Sequence, residues 1–320
     1  MLKRFEAYLN QLLTLLPVAA CCLLCASCGT GIEVTEHVTD KDVQKAIADN
    51  QKTPSGREVT LSAYADSLPA WRVGEKRFWV ADNQVGLLFD GGGRELASLD
   101  GHVLVYNGYD TGSIYDNRQT INLKFLDSAT GDTLVYRTGK TLKEFGSGFS
   151  IPMLIDLDLV KHVAGQIEGR DYYIRTPIWY DRENEQMING RHFIQVHIDK
   201  VEPGNSVMPL RVHFTTNDTR QRAMVWMSGN SSSMPGRDFD GLFDVNDPHM
   251  LYPTISAKNW ELITRAQVVE GMTKEECRLA LGTPRHINQN PDQSGMREYW
   301  YYDGGSYLYF VDGLLSQYRR

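Results

Sequence analysis

Residues 297–319, REYWYYDGGSYLYFVDGLLSQYR, decide the fold that we expect for the C-terminal part of the chain. Aromatic and aliphatic residues dominate three short runs, at 297–302, 306–311 and 314–319. The dipeptides between these runs, Asp303-Gly304 and Asp312-Gly313, favour tight hairpin turns. The pattern therefore predicts a meander of three antiparallel strands.

Two short helices are predicted before this meander. The first begins after Ser256, because Ser is a favoured N-cap residue. The second begins at Thr273, which has capping-box spacing to Glu276. A polar loop is expected at 288–294. We therefore interpret residues 254–320 as an α+β unit, with two helices packed on one face of a three-stranded antiparallel sheet.

The second helix also explains the cysteine inside it. Met272 precedes the cap and Cys277 is the fourth helical residue, which is the spacing of a hydrophobic staple. We expect Cys277 to pack against Met272 as a small apolar residue rather than to act as a nucleophile.

The helix–meander segment carries a family resemblance. Residues 271–284, GMTKEECRLALGTP, followed by the aromatic meander, resemble the SmpA/OmlA (BamE-like) family of small outer-membrane lipoproteins. Members of that family attach to the machinery that inserts β-barrel proteins. The resemblance covers residues 265–320 and none of the chain before them, and it implies that one face of the sheet binds a protein partner.

The alternation of side chains along the meander offers two candidate faces for that partner, and one of them must be core. One face would carry Tyr299, Tyr301, Tyr307 and Tyr309. The other would carry Trp300, Tyr302, Leu308 and Phe310, and we take these four as the candidate partner-binding residues.

The N-terminus has the pattern of an export signal. Lys3 and Arg4 precede an apolar run at 12–24, which has the length of a signal core. A bilayer-spanning helix needs roughly 20 apolar residues, so this run is too short to cross a membrane. The run ends at LCASC, residues 24–28, which resembles the lipobox of bacterial lipoproteins, although Cys25 stands where Leu is more usual.

The lipobox resemblance implies that residues 1–27 are a signal peptide and that Cys28 carries fatty acyl chains. We therefore expect a lipoprotein anchored to the outer membrane and facing the periplasm. An ordinary signal peptide with an Ala-x-Ala-like cleavage site, or an uncleaved anchor, is the alternative.

The rest of the chain divides into a tether and two β-rich units. Residues 28–58 are interpreted as a tether that contains a short helix. Residues 59–165 and 166–253 are interpreted as the two units, because short aromatic and β-branched runs there are bounded by Gly, Asp and Asn.

The two units look like copies of one pattern. Residues 99–105 match residues 167–173, and a pair of strands follows each of them, at 121–126 and 133–139 in the first unit and at 210–215 and 223–229 in the second. The likeness predicts tandem small β-barrels or sandwiches, with an SH3-like barrel as one option. Chance similarity among generic alternating strands is the alternative.

Charge argues against nucleic acid as a partner. The chain of 320 residues has a formal net charge of −7. Removal of residues 1–27 takes away Lys3, Arg4 and Glu6, a net +1, and leaves −8. An acidic chain lacks the basic surface that nucleic acid requires, so membrane attachment would depend on the acyl chains at Cys28.

Two groups of polar residues have some features of metal sites. Asp238, Asp240 and Asp244 partly match a calcium loop, but no closing Glu follows and we interpret the segment as a buried turn. His192 and His197 are five apart, which places them on opposite faces of a strand, so they cannot share one metal ion. We interpret both histidines as solvent-facing.

A carboxylate pair, Asp156 and Asp158, could flank a glycosidic bond as in glycoside hydrolases. Its spacing better suits the cap of a following helix. No catalytic residue, metal site or cofactor is therefore expected.

These observations favour a non-enzymatic cell-envelope lipoprotein. It would act as a protein-interaction or scaffolding component linked to outer-membrane assembly or maintenance, with envelope proteins as partners. The alternative is a glycan- or peptidoglycan-binding lipoprotein, with Trp71, Trp79, Trp179 or Tyr180 as stacking surfaces. A hydrolase built on the carboxylate pair ranks last.

Overall fold

Strands dominate the part of the chain that the structure describes. The structure is a computed structural model that describes residues 61–90, 99–114, 118–145, 149–229, 234–292 and 295–319. Three antiparallel sheets and a few helices account for these residues, which confirms the prediction of a mainly β chain. The predicted signal peptide, Cys28 and the tether lie outside the described residues.

The first sheet has five strands in the order β4-β3-β2-β1-β5. Alternate residues such as Leu104, Leu123 and Phe125 point to one face and are fully buried, as the two-residue period of a strand requires. On the opposite face of β1, Trp79 packs against a second hydrophobic core. The strands are β1 (Arg77–Val80), β2 (Val103–Ile114), β3 (Arg118–Asp127), β4 (Thr133–Arg137) and β5 (Leu154–Asp156).

Helix α1 (Leu157–Ile167) joins the first two sheets. Asp156 caps it by accepting a hydrogen bond from the Asp158 N–H at 2.9 Å. Val160, Val163 and Ile167 are buried in the core of the second sheet. The boundary expected at residue 165 therefore falls inside a helix that packs with the second sheet.

The second sheet has seven strands in the order β12-β6-β9-β10-β11-β7-β8. Its strand order differs from that of the first sheet, because β9 separates β6 from β10, whereas β2 pairs directly with β3. The likeness seen in the sequence is thus limited to the hairpins β3–β4 and β10–β11. The strands are β6 (Asp171–Ile174), β7 (Ile178–Tyr180), β8 (Met187–Asn189), β9 (Ile194–Pro203), β10 (Leu210–Thr216), β11 (Arg222–Met227) and β12 (Phe243–Asp244).

Short helices follow the second sheet and lead into the C-terminal region. Helices α2 (Phe239–Leu242) and α3 (Pro248–Leu251) are single turns, each capped by the aspartate before it. Helices α4 (Ala257–Thr264) and α5 (Lys274–Leu281) lie where the sequence predicts them. None of the described helices has both the length and the apolar character that a membrane span requires.

The third sheet has four strands rather than the three expected. They are β13 (His286–Asp292), β14 (Gly295–Tyr301), β15 (Tyr307–Val311) and β16 (Leu314–Arg319), in that order across the sheet. Most of the predicted polar loop at 288–294 is strand β13, which pairs with β14 from His286 to Asp292. Because β13 is an edge strand with exposed polar residues, it lacks the apolar alternation from which a strand is predicted. An edge strand also tolerates a proline such as Pro291.

Helices α4 and α5 share a core with one face of this sheet. Trp260, Cys277 and Trp300 are members of the same buried cluster. Thr273 and Glu276 form the predicted capping box, and Met272 and Cys277 are both fully buried. Cys277 and Met272 lie in the same buried cluster, which confirms the predicted packing role, and burial raises the pKa of the Cys277 thiol to about 12.

Candidate functional site

The predicted partner-binding residues lie on the wrong face of the third sheet. Trp300, Leu308 and Phe310 are 0–1% exposed and pack beneath α4 and α5. Tyr302 is partly buried and its hydroxyl donates to the Gly282 carbonyl at 3.2 Å. Trp300, Leu308 and Phe310 cannot contact a partner while the unit stays folded, so the assignment is corrected for these three residues.

Four tyrosines occupy the other, exposed face, and we call them the tyrosine face. Tyr299 and Tyr301 come from β14, and Tyr307 and Tyr309 come from β15. The rings of Tyr299 and Tyr309 stack with centroids 4.5 Å apart, and Tyr301 stacks on Tyr299 at 6.4 Å. Tyr301 is 41% exposed. The register of the strands thus brings the rings into a row that solvent can reach.

Residues on the two edge strands extend the tyrosine face. On β13, His286 pairs with Tyr301 of β14 and Asn288 pairs with Tyr299. The His286 ring stacks on the Tyr301 ring, with centroids 6.0 Å apart. Gln317 and Arg319 lie opposite Tyr309 and Tyr307 across β16. All four of these cross-strand neighbours are neutral or basic, although the chain as a whole is acidic.

Buried polar contacts on the core face of the third sheet connect strand β14 to helix α5. Glu298 is 4% exposed and forms an ion pair with Lys274 at the start of α5. The indole N–H of Trp300 donates to Glu298 at 3.1 Å, and the Arg278 guanidinium lies over the Trp300 ring at 5.1 Å. Burial by itself would raise the pKa of Glu298, but the hydrogen bonds from Lys274 and Trp300 lower it overall.

Of the four aromatic residues expected as glycan-stacking surfaces, Trp179 is buried, whereas Trp71, Trp79 and Tyr180 are partly exposed. Trp179 is fully buried, 5.1 Å from the Phe214 ring. Trp71 packs against Phe78 at 5.1 Å and its indole N–H donates to Asp66. A stacking surface needs a free ring face, so Trp179 is excluded from that role.

Two of the three aspartates that partly match a calcium loop accept hydrogen bonds from the backbone of local turns. Asp238 accepts from the Gly241 N–H at 3.3 Å and Asp244 from the Asn246 N–H at 3.0 Å. Within the described ranges, no group of three or more His, Cys, Asp and Glu side chains is arranged to hold a metal ion.

The histidines differ from the expectation in one case. His192 is 5% exposed, and its ring contacts the Ile263 carbonyl while its backbone N–H donates to the Thr264 carbonyl. The prediction that it faces solvent is wrong, because its partners lie about 70 positions away in α4. His197 pairs with Asp171 at 2.7 Å near the surface.

The carboxylates of Asp156 and Asp158 form ion pairs with a buried lysine, Lys76. The sequence pattern did not identify this lysine. The ammonium of Lys76 lies 2.7 Å from Asp156, 2.6 Å from Asp66 and 3.2 Å from Asp158. Tyr64 also donates to Asp156, at 2.7 Å. Burial would lower the pKa of Lys76, but the hydrogen bonds to Asp156 and Asp66 raise it overall. These ion pairs link Lys76, next to strand β1 of the first sheet, to the N-terminus of helix α1.

No family model matches this chain, and comparisons with curated proteins and with solved structures find no match. The resemblance of residues 265–320 to the SmpA/OmlA family therefore rests on the sequence pattern alone.

Proposed function

We propose that this protein is a non-enzymatic cell-envelope lipoprotein that binds a protein partner through the tyrosine face. The observation that carries the proposal is the row of stacked, solvent-accessible tyrosines on a sheet whose other face is core. In this proposal residues 254–320 act as an SmpA/OmlA-like module, and the protein serves outer-membrane assembly or maintenance.

Tyrosine suits a docking surface for physical reasons. It offers a large apolar area and a hydroxyl while only two side-chain torsions must be fixed on binding. Tyrosines are also enriched among the residues that dominate binding energy. The rings of Tyr299, Tyr301 and Tyr309 already stack on one another, so little further order has to be imposed when a partner binds.

The charge around the face supports a partner with a neutral or acidic surface. His286, Asn288, Gln317 and Arg319 border the tyrosines across the strands. Arginine at such a border pairs well with carboxylates and also stacks on aromatic rings.

The proposed location rests on the N-terminal sequence. Cleavage before Cys28 and acylation of that residue would anchor the chain to the outer membrane, with the modules in the periplasm. More than one acyl chain makes such an anchor stable, at about 0.8 kcal/mol for each buried methylene.

The test is affinity capture after cross-linking in the native envelope, with full-length, lipidated protein. The variant Tyr299→Ala/Tyr309→Ala removes the centre of the tyrosine face. Tyr109→Ala is the matched control, because Tyr109 is 45% exposed on β2 of the first sheet. We expect outer-membrane assembly components with the wild type and the control, and their loss with the double variant.

Recovery of those components to the same extent with all three proteins would refute the tyrosine face as the docking surface. Failure to recover them with any of the three would refute the link to outer-membrane assembly.

A further inference from the structure

A groove of about 740 Å³ separates the second sheet from helix α4. This volume lies within the range of small-molecule sites. Its described lining includes aromatic rings from Tyr173, Phe193 and Tyr252, and none of the four residues of the tyrosine face. We propose that this groove is a binding site for a neutral oligosaccharide.

Arg191 and Phe193, just before β9, line the groove, and His192 lies between them in the chain without lining it. Arg191 pairs with Asp218 through both terminal nitrogens, at 2.7 and 2.9 Å. His192 turns inward to the carbonyl groups at the end of α4. Phe193 has φ +57°, a left-handed conformation that few residues other than glycine adopt, and its ring lies 6.2 Å from Trp260. The Arg191–Asp218 ion pair and the Phe193 ring are thus both part of the groove lining.

A second polar pair lies along the same wall. The Asn217 amide donates to the Gln195 side-chain carbonyl at 2.9 Å, and the Asn217 backbone N–H donates to the Gln195 backbone carbonyl at 3.0 Å. Asp247 also lines the groove and contacts the His249 ring at 2.7 Å. The groove therefore offers hydrogen-bond donors next to acceptors, held in place before any ligand arrives.

The charges of the lining argue against an anionic ligand. Its described charged side chains are Arg191, Asp218, Asp247 and Glu261, a formal charge of −2 with His249 neutral. The hydrogen bond from Arg191 lowers the pKa of Asp218 to about 2. For Asp247, burial would raise the pKa, but hydrogen bonds from the His249 backbone and ring lower it overall. Both carboxylates stay ionised near neutrality and would repel a phosphate or a carboxylate.

The donors argue for hydroxyl groups rather than a cation. An organic cation would meet the Arg191 guanidinium and could use only the acceptors. A sugar hydroxyl both donates and accepts, so it can bridge each pair, Arg191–Asp218 and Asn217–Gln195. The apolar face of a sugar ring can pack on the partly buried rings of Tyr252 and Phe193. The volume of the groove, the charge of its lining and its hydrogen-bond donors and acceptors together favour a short neutral glycan as the ligand.

The test uses full-length protein in detergent on an array of neutral glycans. Titration with the best-binding glycan follows, beside trigalacturonic acid as an anionic probe and spermidine as a cationic one. We expect a neutral glycan to bind, and Asn217→Ala to weaken its binding at least tenfold. Asn122→Ala is the matched control, since the Asn122 side-chain amide likewise donates to a side chain of a neighbouring strand outside the groove, and it should leave binding unchanged.

Unfolding midpoints report whether each variant is folded. If Asn217→Ala lowers the midpoint, Gln195→Ala replaces it, because Gln195 is an exposed side chain of the same pair. The proposal is overturned if no neutral glycan binds, if only an ionic probe binds, or if folded groove variants bind as well as the control. Tyr299→Ala/Tyr309→Ala should bind the glycan normally, which separates this result from the test of the docking surface.

Discussion

Lys76 shows at the scale of one residue how a buried charge ties distant segments together. Its side chain is 5% exposed, and the carboxylates of Asp66 and Asp156 that face it are 21% and 18% exposed. Because the two carboxylates are ten residues before and eighty residues after the lysine in the chain, nothing in the local sequence indicates the cluster.

We expect Lys76→Met to cost about 3–5 kcal/mol of unfolding free energy, because it leaves partly buried carboxylates without a counter-charge. Urea denaturation measures the change. The matched control, Lys161→Met, removes a lysine that is 72% exposed and 3.8 Å from Asp158, so its effect should stay within about 0.5 kcal/mol. Equal losses in the two variants would show that the cluster is not a stabilising tie.

Glu298 gives a pH dependence with a defined sign. Its pKa in the folded protein is below the ordinary value of 4.5. The stabilisation from the folded-state carboxylate is therefore complete above that value and is lost as the pH falls through the folded pKa. We expect Glu298→Gln to lower the unfolding free energy at pH 7 by about 1–3 kcal/mol, and the gap to the wild type to shrink towards pH 3.

Unfolding curves recorded across this pH range would check the sign. A gap that stays constant from neutral to acidic pH would mean that ionisation of Glu298 contributes nothing.

At the scale of elements, helix caps and the Asp312-Gly313 turn were predictable, whereas the five-residue connection at 302–306 and the edge pairing were not. The Thr273–Glu276 capping box and the aspartate cap of α1 use residues within three positions of one another. Strand β13 has no such local signal. Most of its residues are polar, and the segment is a strand because it pairs with β14.

The cap of α5 can be tested directly. Thr273→Ala removes the side-chain acceptor for the Glu276 N–H and should cost about 1 kcal/mol. Thr273→Ser keeps the hydroxyl and should change stability by only a few tenths of that amount. Chemical denaturation measures both, and a loss in the Ser variant as large as in the Ala variant would assign the effect to the methyl group rather than to the cap.

At the scale of the whole molecule, two surfaces of the described chain are suited to separate tasks. The tyrosine face lies on one side of the third sheet, and α4, on the other side, forms part of the groove against the second sheet. The proposed anchor at Cys28 would hold both at the membrane.

The anchor makes its own prediction. Cys28→Ser should abolish incorporation of labelled palmitate and move the protein from the membrane fraction to the soluble fraction, since the acyl chains are its proposed attachment. Cys22→Ser is the matched control, because Cys22 lies in the apolar run before the lipobox, and it should be acylated normally. Palmitate labelling and membrane fractionation are the measurements. Continued acylation of the Cys28→Ser variant would exclude the lipobox interpretation.

The sequence by itself determined the mainly β character, the capped helices at the C-terminus and the buried role of Cys277. These features depend on residues a few positions apart, where steric preference and local hydrogen bonds act. Only the tertiary structure decided which face of the third sheet is core. Both candidate faces are aromatic, so the choice depends on which side α4 and α5 cover. The burial of His192 and of Lys76 was decided in the same way, by contacts between segments far apart in the chain.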